Sequence, residues 1–500
     1  MTETKKRARD LRLDFFRGLA MFIILLAHTP GNAWTLWIPA RFGFSDATEI
    51  FVFCSGFASA LAFGAVFARA GWWIGTVRIG FRIWQVYWAQ IGMVLATALL
   101  LFSIDASGWG EDGRTYIARL PIVPLFENTG AALAGLATLT WVPNYFDILP
   151  MYLVILAMIP AVMLVYRHLG KEAVFVLLVA LWLAAQFKLL EMPSRPWRPE
   201  IPWFFNPFGW QLVFFTGFAF AMGWLPRPPV KRWLVWAAAT YVVLVIPFAW
   251  FRIYGGQYLP DEWLLQDLIA DTRQEVRFLW WKSWVGAARY LHFLALAYLA
   301  WVAVGAGGIR LTTGWRAPGK PRAWVQWAAA AALVLSAPYS WIAEIAAVSP
   351  ALDAAILHHF TVTATAWLGG DLLITGPEIG VVQLVHLGAL ALLVWSAIGP
   401  RARSFATGPG FRRMVPVIRK VGTQSLAVFI VSMVLAQFNG FMLDVLGRSS
   451  LTWAAVNLWG FAVLIGVAYG VGWIKNQPWR VQRTDGPPSP QSLGTRLPAE

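Results

Sequence analysis

Residues 12–56 read RLDFFRGLAMFIILLAHTPGNAWTLWIPARFGFSDATEIFVFCSG. The run from Phe15 onward is apolar enough for a membrane helix of about 15–36, with Pro30 and Gly31 allowing a bend near His28. Arg17 stands at the start of this run and His28 deep inside it. An ionisable side chain in a bilayer interior is expensive and marks a functional site by default. The two are eleven residues apart. At about 100° per residue that is roughly three turns plus 20°, so both lie on one face, about 16 Å apart along the axis. Asp14, three residues before Arg17, lies near the same face. Each has a plainer reading: Arg17 as a positive-inside anchor, His28 as a packing residue satisfied by one hydrogen bond.

Composition extends this reading to the whole chain. Of its 500 residues 58% are hydrophobic and 13% charged, which excludes a soluble domain and indicates a polytopic membrane protein. The net charge of +15 is scattered over short loops rather than gathered on one face, so nucleic acid is not an expected partner. The lone cysteine, Cys54, excludes an internal disulfide. The first span follows KKRAR without a small-residue cleavage site and reads as a retained signal anchor. Thirty-one tryptophans suit anchoring at the membrane interface, with carbohydrate stacking as the alternative.

The expected fold class is all-α: a transmembrane helical bundle of about twelve spans (10–12) with both termini cytoplasmic. After the first, the spans fall near 47–68, 82–103, 147–166, 172–190, 208–225, 233–251, 289–306, 324–347, 380–398, 422–442 and 451–474. This count puts the Arg/Lys-rich short loops, including the strongly basic 400–420, on one side and most acidic residues on the other. Outer segments then occupy 104–145, 191–207, 252–287 and 348–378. Within the third, DEWLLQDLIADTRQEVRFLWWKSW (261–284) has the pattern of an amphipathic helix lying on the membrane or capping a cleft. The tail 476–500 is polar, Pro-rich and expected to be disordered in the cytoplasm.

Further candidates cluster at outer span ends. Asp46 and Glu49 are spaced as a capping box; alternatively, one supports His28 as an acid supports a catalytic base. Asn144, Tyr145 and Asp147, then Asn206 and Gln211, then Arg289 and His292, are capping residues singly and a polar vestibule together. The adjacent His358 and His359 lack a third ligand, so no metal is expected. HFLALAYLAWVAVG from His292 echoes HLGALALLVWSAIG from His386.

RDLRLDFFRGLAMFIILLAH (9–28), FGFSDATEIFVFCSG (42–56), NYFDILPMYLVIL (144–156), NPFGWQLVFFTG (206–217), RYLHFLALAYL (289–299) and GTQSLAVF (422–429) occur in order. This set resembles the OpgC family of membrane succinyltransferases. The Arg, ten residues, then His of the first span resembles the wider acyltransferase-three superfamily. The resemblance covers roughly 8–306 and 410–475. It implies an enzyme of the bacterial inner membrane that moves succinyl groups from cytoplasmic succinyl-CoA onto osmoregulated periplasmic glucans, with no permanently bound cofactor. Its implied partners are the acyl-CoA donor, the glucan acceptor and the lipid bilayer, with a homodimer left open. It also implies His28 as catalytic base with Glu49 and Asp46 beside it. Arg17 and Arg12 would serve the donor, and Asp147, Asn206, His292 and Arg289 the substrate. The chain departs from the family at 307–409, which reads as an inserted transmembrane hairpin between core segments 1–306 and 410–475. His386 then stands where His292 is expected relative to the QSL segment. The alternative function, from another class, is a transporter or flippase, since intramembrane charges and broken helices suit transport as well.

Overall fold

The computed structural model describes residues 10–111, 113–198, 200–255, 264–336 and 381–479. Helix α1 spans Leu11–His28, and Asp10 caps it by accepting the Arg12 N–H at 3.0 Å. It ends eight residues short of the expected Leu36. Thr29 precedes a proline, a position that disfavours helical backbone, and it is extended at φ −79°, ψ 110°. His28 is therefore the last residue of the helix rather than a residue of its interior. The chain continues through a 3₁₀ turn, Ala33–Trp37, capped by Asn32.

Helix α2 (Ala47–Ser59) passes through a π turn, Ala60–Gly64, into α3 (Ala65–Ser107). A straight helix of this combined length would run to about 90 Å, some three hydrocarbon thicknesses. The backbone breaks instead at Gly71, φ 82° and ψ 173°, in a region that favours glycine. Helix α4 (Ile148–Gln186) breaks likewise at Gly170, φ 82° and ψ 179°. Then come α5 (Pro207–Met222), α6 (Arg232–Ala249), α7 (Leu264–Glu275), α8 (Ala287–Val304), α9 (Ala323–Ser336), α10 (Val381–Ala397), α11 (Phe411–Thr423), α12 (Ser425–Leu446) and α13 (Ser450–Lys475). Among the described residues there is no strand, only an isolated bridge between Pro193 and Pro202. Among the described residues, six helical stretches are long and apolar enough to cross a membrane: α2 with α3, then α4, α6, α8, α12 and Leu451–Lys475. Large apolar side chains such as Leu99, Leu169 and Val176 face outward, as do Trp73, Trp84, Trp233, Trp236, Trp324 and Trp327.

Small residues set the helix crossings, as expected where lipid removes the hydrophobic drive between helices. A side chain at Gly18 would overlap the Ile418 carbonyl, and one at Gly422 the Asp14 carbonyl, so α1 and α11 touch backbone to backbone. Gly56 against Phe214 O and Gly217 against Phe53 O join α2 to α5 in the same way. The stretch expected as a basic inner loop, 400–420, is helical almost throughout: Pro400–Phe405, a π turn over Ala406–Gly410, then α11. Helix α11 is amphipathic. Val415 and Val421 are buried while Arg412 and Arg413 are exposed, so the charges of its first turn face outward as the apolar stripe packs on α1.

Of the stretch 261–284 expected as an amphipathic helix, 264–275 forms α7 and Arg277–Trp280 a separate short turn, while 261–263 lie outside the described residues. Helix α7 docks against the end of α6 and the turn Phe251–Tyr254, with Gln266 Nε2 donating to Tyr254 O at 2.8 Å and Arg273 Nη1 to Phe248 O at 2.6 Å. Within 307–409, α9 and α10 pack together, and Ser336 Oγ lies 2.9 Å from His386 Nδ1. His358 and His359, and the tail from 480, lie outside the described residues.

Substituting Gly18 or Gly422 by alanine should destabilise the protein by about 1–3 kcal/mol, because carbonyl backbone must move to admit the methyl group. Gly92→Ala, with nothing within 4 Å, should be near neutral. Thermal unfolding of the three variants in detergent checks this, and equal midpoints would contradict the packing described.

Candidate functional site

The His28 ring is anchored by its own helix. Its Nδ1 lies 2.8 Å from Ile24 O, one turn back. A carbonyl only accepts, so Nδ1 carries the proton and Nε2 of the neutral ring keeps its lone pair. Tyr145 stands edge-on to the imidazole at 5.3 Å between centroids. Tyr145 is held at φ 95°, and its hydroxyl donates to Met433 O in α12 at 2.6 Å. At the other end of the stripe Arg17 Nη2 donates to Ser425 Oγ at the start of α12. Both members of the α1 stripe thus meet α12 or a residue bonded to it. Arg12 is held by Asp10, with Nε to Oδ1 at 3.0 Å and Nη2 to Oδ2 at 2.7 Å.

Asp46 and Glu49 form the capping box that their spacing suggests. Glu49 Oε2 accepts the Asp46 N–H at 2.8 Å, and Asp46 Oδ1 accepts the Thr48 N–H at 2.7 Å. Their remaining oxygens go to cations. Arg289 Nε donates to Glu49 Oε1, and Arg289 Nη2 reaches Asp46 Oδ2 at 3.3 Å. Lys282 Nζ donates to the same Asp46 oxygen at 2.6 Å. Burial alone would raise the Asp46 carboxyl, but Lys282 and then Arg289 overcome it and hold it well below the usual carboxylate range. Neither carboxylate hydrogen-bonds His28. The expected direct support of the imidazole is replaced by charge acting through space, from Lys282 and Asp46.

His292 joins the same cluster from α8. Its Nδ1 accepts the Ser45 N–H at 3.3 Å and lies 2.7 Å from Ser45 Oγ, so the ring proton sits on Nε2, which has no partner among the described residues. The ring packs on Gly43, where a Cβ would overlap it. His28 and His292 therefore hold opposite tautomers, one presenting an acceptor and the other a donor. Asn206 is spent on structure: Oδ1 caps α5 through Phe208 N (2.9 Å) and Gly209 N (3.2 Å), and Nδ2 donates to Leu190 O at 2.6 Å. Asp147 is buried with Oδ2 unpartnered, and Lys282 is the cation whose field reaches it.

Lys282 is thus the one charge that acts on His28, Asp46, Glu49 and Asp147 together. It was not singled out from the sequence. The available signal was a lone cation in the aromatic run LWWKSW. Among the described residues no cluster of His, Cys, Asp and Glu could hold a metal ion.

Compared with known proteins, the chain matches the family described as OpgC protein over residues 9–320 and 315–476. No curated protein and no solved structure gave a match.

Arg289→Met should cost about 3–5 kcal/mol, since it leaves the fully buried Glu49 without its cation. Lys282→Met leaves Asp46 with Arg289 alone. The ionised Asp46, depressed in the folded state, stabilises the protein above the ordinary carboxylate value and loses that contribution only as pH falls through the lower folded value. In Lys282→Met the acid-unfolding limb should therefore move to higher pH. An unchanged acid limb would contradict the pairing.

Proposed function

The chain belongs to the OpgC family, and from that premise we propose that it is a membrane O-acyltransferase moving an acyl group, succinyl by family resemblance, from cytoplasmic acyl-CoA to a hydroxyl of a periplasmic glucan. We read the chain as about twelve spans in a bacterial inner membrane with both termini cytoplasmic. The basic α11 and the Arg-rich short loops support that orientation. The proposed reaction uses no permanently bound cofactor.

The observation that carries the reading is the His28 ring, its Nδ1–H committed to Ile24 O and its Nε2 left as an acceptor. In the proposed reaction Nε2 takes the proton of the acceptor hydroxyl as its oxygen attacks the thioester carbonyl. The tetrahedral intermediate collapses, expelling the coenzyme A thiolate, and the imidazolium returns the proton to that sulfur. The products are an ester and free coenzyme A. The charges of Asp46 and Lys282 act on the imidazole in opposite senses. Glu49 and Arg289 hold that pair in place, while His292 and Asp147 offer a donor and an acid toward the sugar.

Arg17 suits the donor's phosphates, since a guanidinium binds them in a bidentate fork. Arg12, neutralised by Asp10, adds less. About 16 Å of helix between Arg17 and His28 is of the order of a phosphopantetheine arm.

His28→Ala should lower glucan acylation by about 10²–10⁴-fold at normal expression, read by mass spectrometry of periplasmic glucans. Arg17→Ala should raise KM for acyl-CoA more than it lowers kcat. Acylation that survives His28→Ala overturns the mechanism. Absence of any acyl-CoA-dependent thermal shift in the purified wild type would favour a transporter instead.

A further inference from the structure

A second polar cluster lies at the same end of α1 as His28 and takes no part in that proton transfer. Asp444, at the end of α12, has a side chain only 1% exposed and is surrounded by three guanidinium groups. Arg114 Nη1 lies 2.8 Å from Oδ1, Arg448 Nη2 lies 2.7 Å from the same oxygen, and Arg119 Nη2 donates to Oδ2. Glu111, half exposed, takes a second contact from Arg114 at 2.7 Å. Among the described residues, three cations thus share these two carboxylates.

These arginines line a cavity of about 300 Å³ together with Pro30, Leu120 and Gln437. Neither carboxylate lines it. Gln437 is 1% exposed, and among the described residues its Oε1 has no partner and neither does the buried Arg119 Nη1. A cluster that served only to neutralise Asp444 would leave neither group idle, because buried polar atoms are normally satisfied.

The cavity is joined to the proposed catalytic residue. Pro30 is two residues beyond His28. Gln437 is adjacent to the Tyr145 hydroxyl, and the Tyr145 ring stands against the His28 imidazole. Arg448 lies along Gly31, where a side chain would collide with its guanidinium.

We propose that the Arg114–Arg119–Arg448 cavity is an anion subsite that holds a carboxylate carried by one of the substrates, and so selects for an acidic substrate. This rests on the acyl-transfer reading of His28. Two sources share the chemistry: the free carboxylate at the far end of a dicarboxylic acyl group on the donor, or an acidic substituent on the acceptor saccharide.

The test uses the purified full-length chain in detergent and has two stages. First, free succinate is compared with acetate at equal ionic strength. Succinate should raise the unfolding temperature of the wild type and of His28→Ala. Arg448→Gln should remove the effect and Arg448→Lys should keep part of it. The wild-type comparison needs no variant, so a misfolded variant does not leave the matter open. Second, KM is measured with succinyl-CoA and butyryl-CoA, and with neutral and acidic oligosaccharide acceptors. If the donor supplies the carboxylate, Arg448→Gln should raise KM about tenfold for succinyl-CoA and leave butyryl-CoA unchanged. If the acceptor supplies it, the rise follows the acidic oligosaccharide with either donor. No succinate shift in the wild type, or an equal shift in Arg448→Gln, overturns the proposal. A chain that binds succinate through Arg448 but transfers no acyl group upholds the subsite while ending the acyl-transfer reading.

Discussion

The buried charge pair between Glu49 and Arg289 is the constraint on which the His28 end of the molecule depends. Glu49 is fully buried, and an isolated carboxylate there would be prohibitive. Its cation comes from 240 residues further along, so the start of α2 and the start of α8 must meet. Once they meet, the segment before α8 is drawn across the bundle. Trp210 Nε1 donates to Lys282 O, Asn206 N to Ser283 O, Gln186 Nε2 to Trp284 O and Trp182 Nε1 to Val285 O. Four consecutive carbonyls are satisfied from α4, α5 and the residue that caps α5, which fixes the strap and lets Val285 adopt φ 57°. Lys282 then reaches Asp46, its ammonium also lying over the Phe205 ring.

At the opposite end, close packing joins the Asp10–Arg12 ion pair in holding the structure. The Gly18 and Gly422 crossings bring α1 and α11 into backbone contact. Gln424, just beyond α11, accepts from Lys475 at the end of α13 at 2.7 Å. Between these two ends α1 is a fixed rod. Its capped start and its proline-terminated finish set the separation of Arg17 and His28, and no loop lies between them to absorb a change.

Local features were legible in the sequence and distant ones were not. The Asp46–Glu49 capping box follows from an i, i+3 spacing and is present as read. The all-helical class follows from composition. The end of α1 was misplaced because the apolar run continues past Pro30 to Trp37, and hydropathy does not register that Thr29 precedes a proline. The basic stretch 400–420 hid an amphipathic helix, since Phe411, Val415 and Ile418 sit at helical spacing among arginines that dominate the charge count. The partners of Asp46 could not be read, because Lys282 is 236 residues away and nothing local points to it. Only the general rule that buried charges are paired indicated that cations must exist.

The early end of α1 alters what the acyl-transfer reading asks of the two substrates. A histidine eight residues inside a continuous span would oblige a polar saccharide to descend into the hydrocarbon region, with several hydroxyls losing water for each one that reacts. A histidine at the helix terminus, beneath the Tyr145 turn and the Lys282 strap, sits where the chain is already irregular and polar. Non-helical backbone at such depth is tolerated where it is buried in protein or lines a cavity, and here its carbonyls are satisfied by protein. The saccharide then needs only a shallow approach, and the long reach falls to the donor. The donor suits that task, since its arm is narrow, flexible and far less hydrated than a glucan. On the acyl-transfer reading, the division of labour follows from where Pro30 stops the helix.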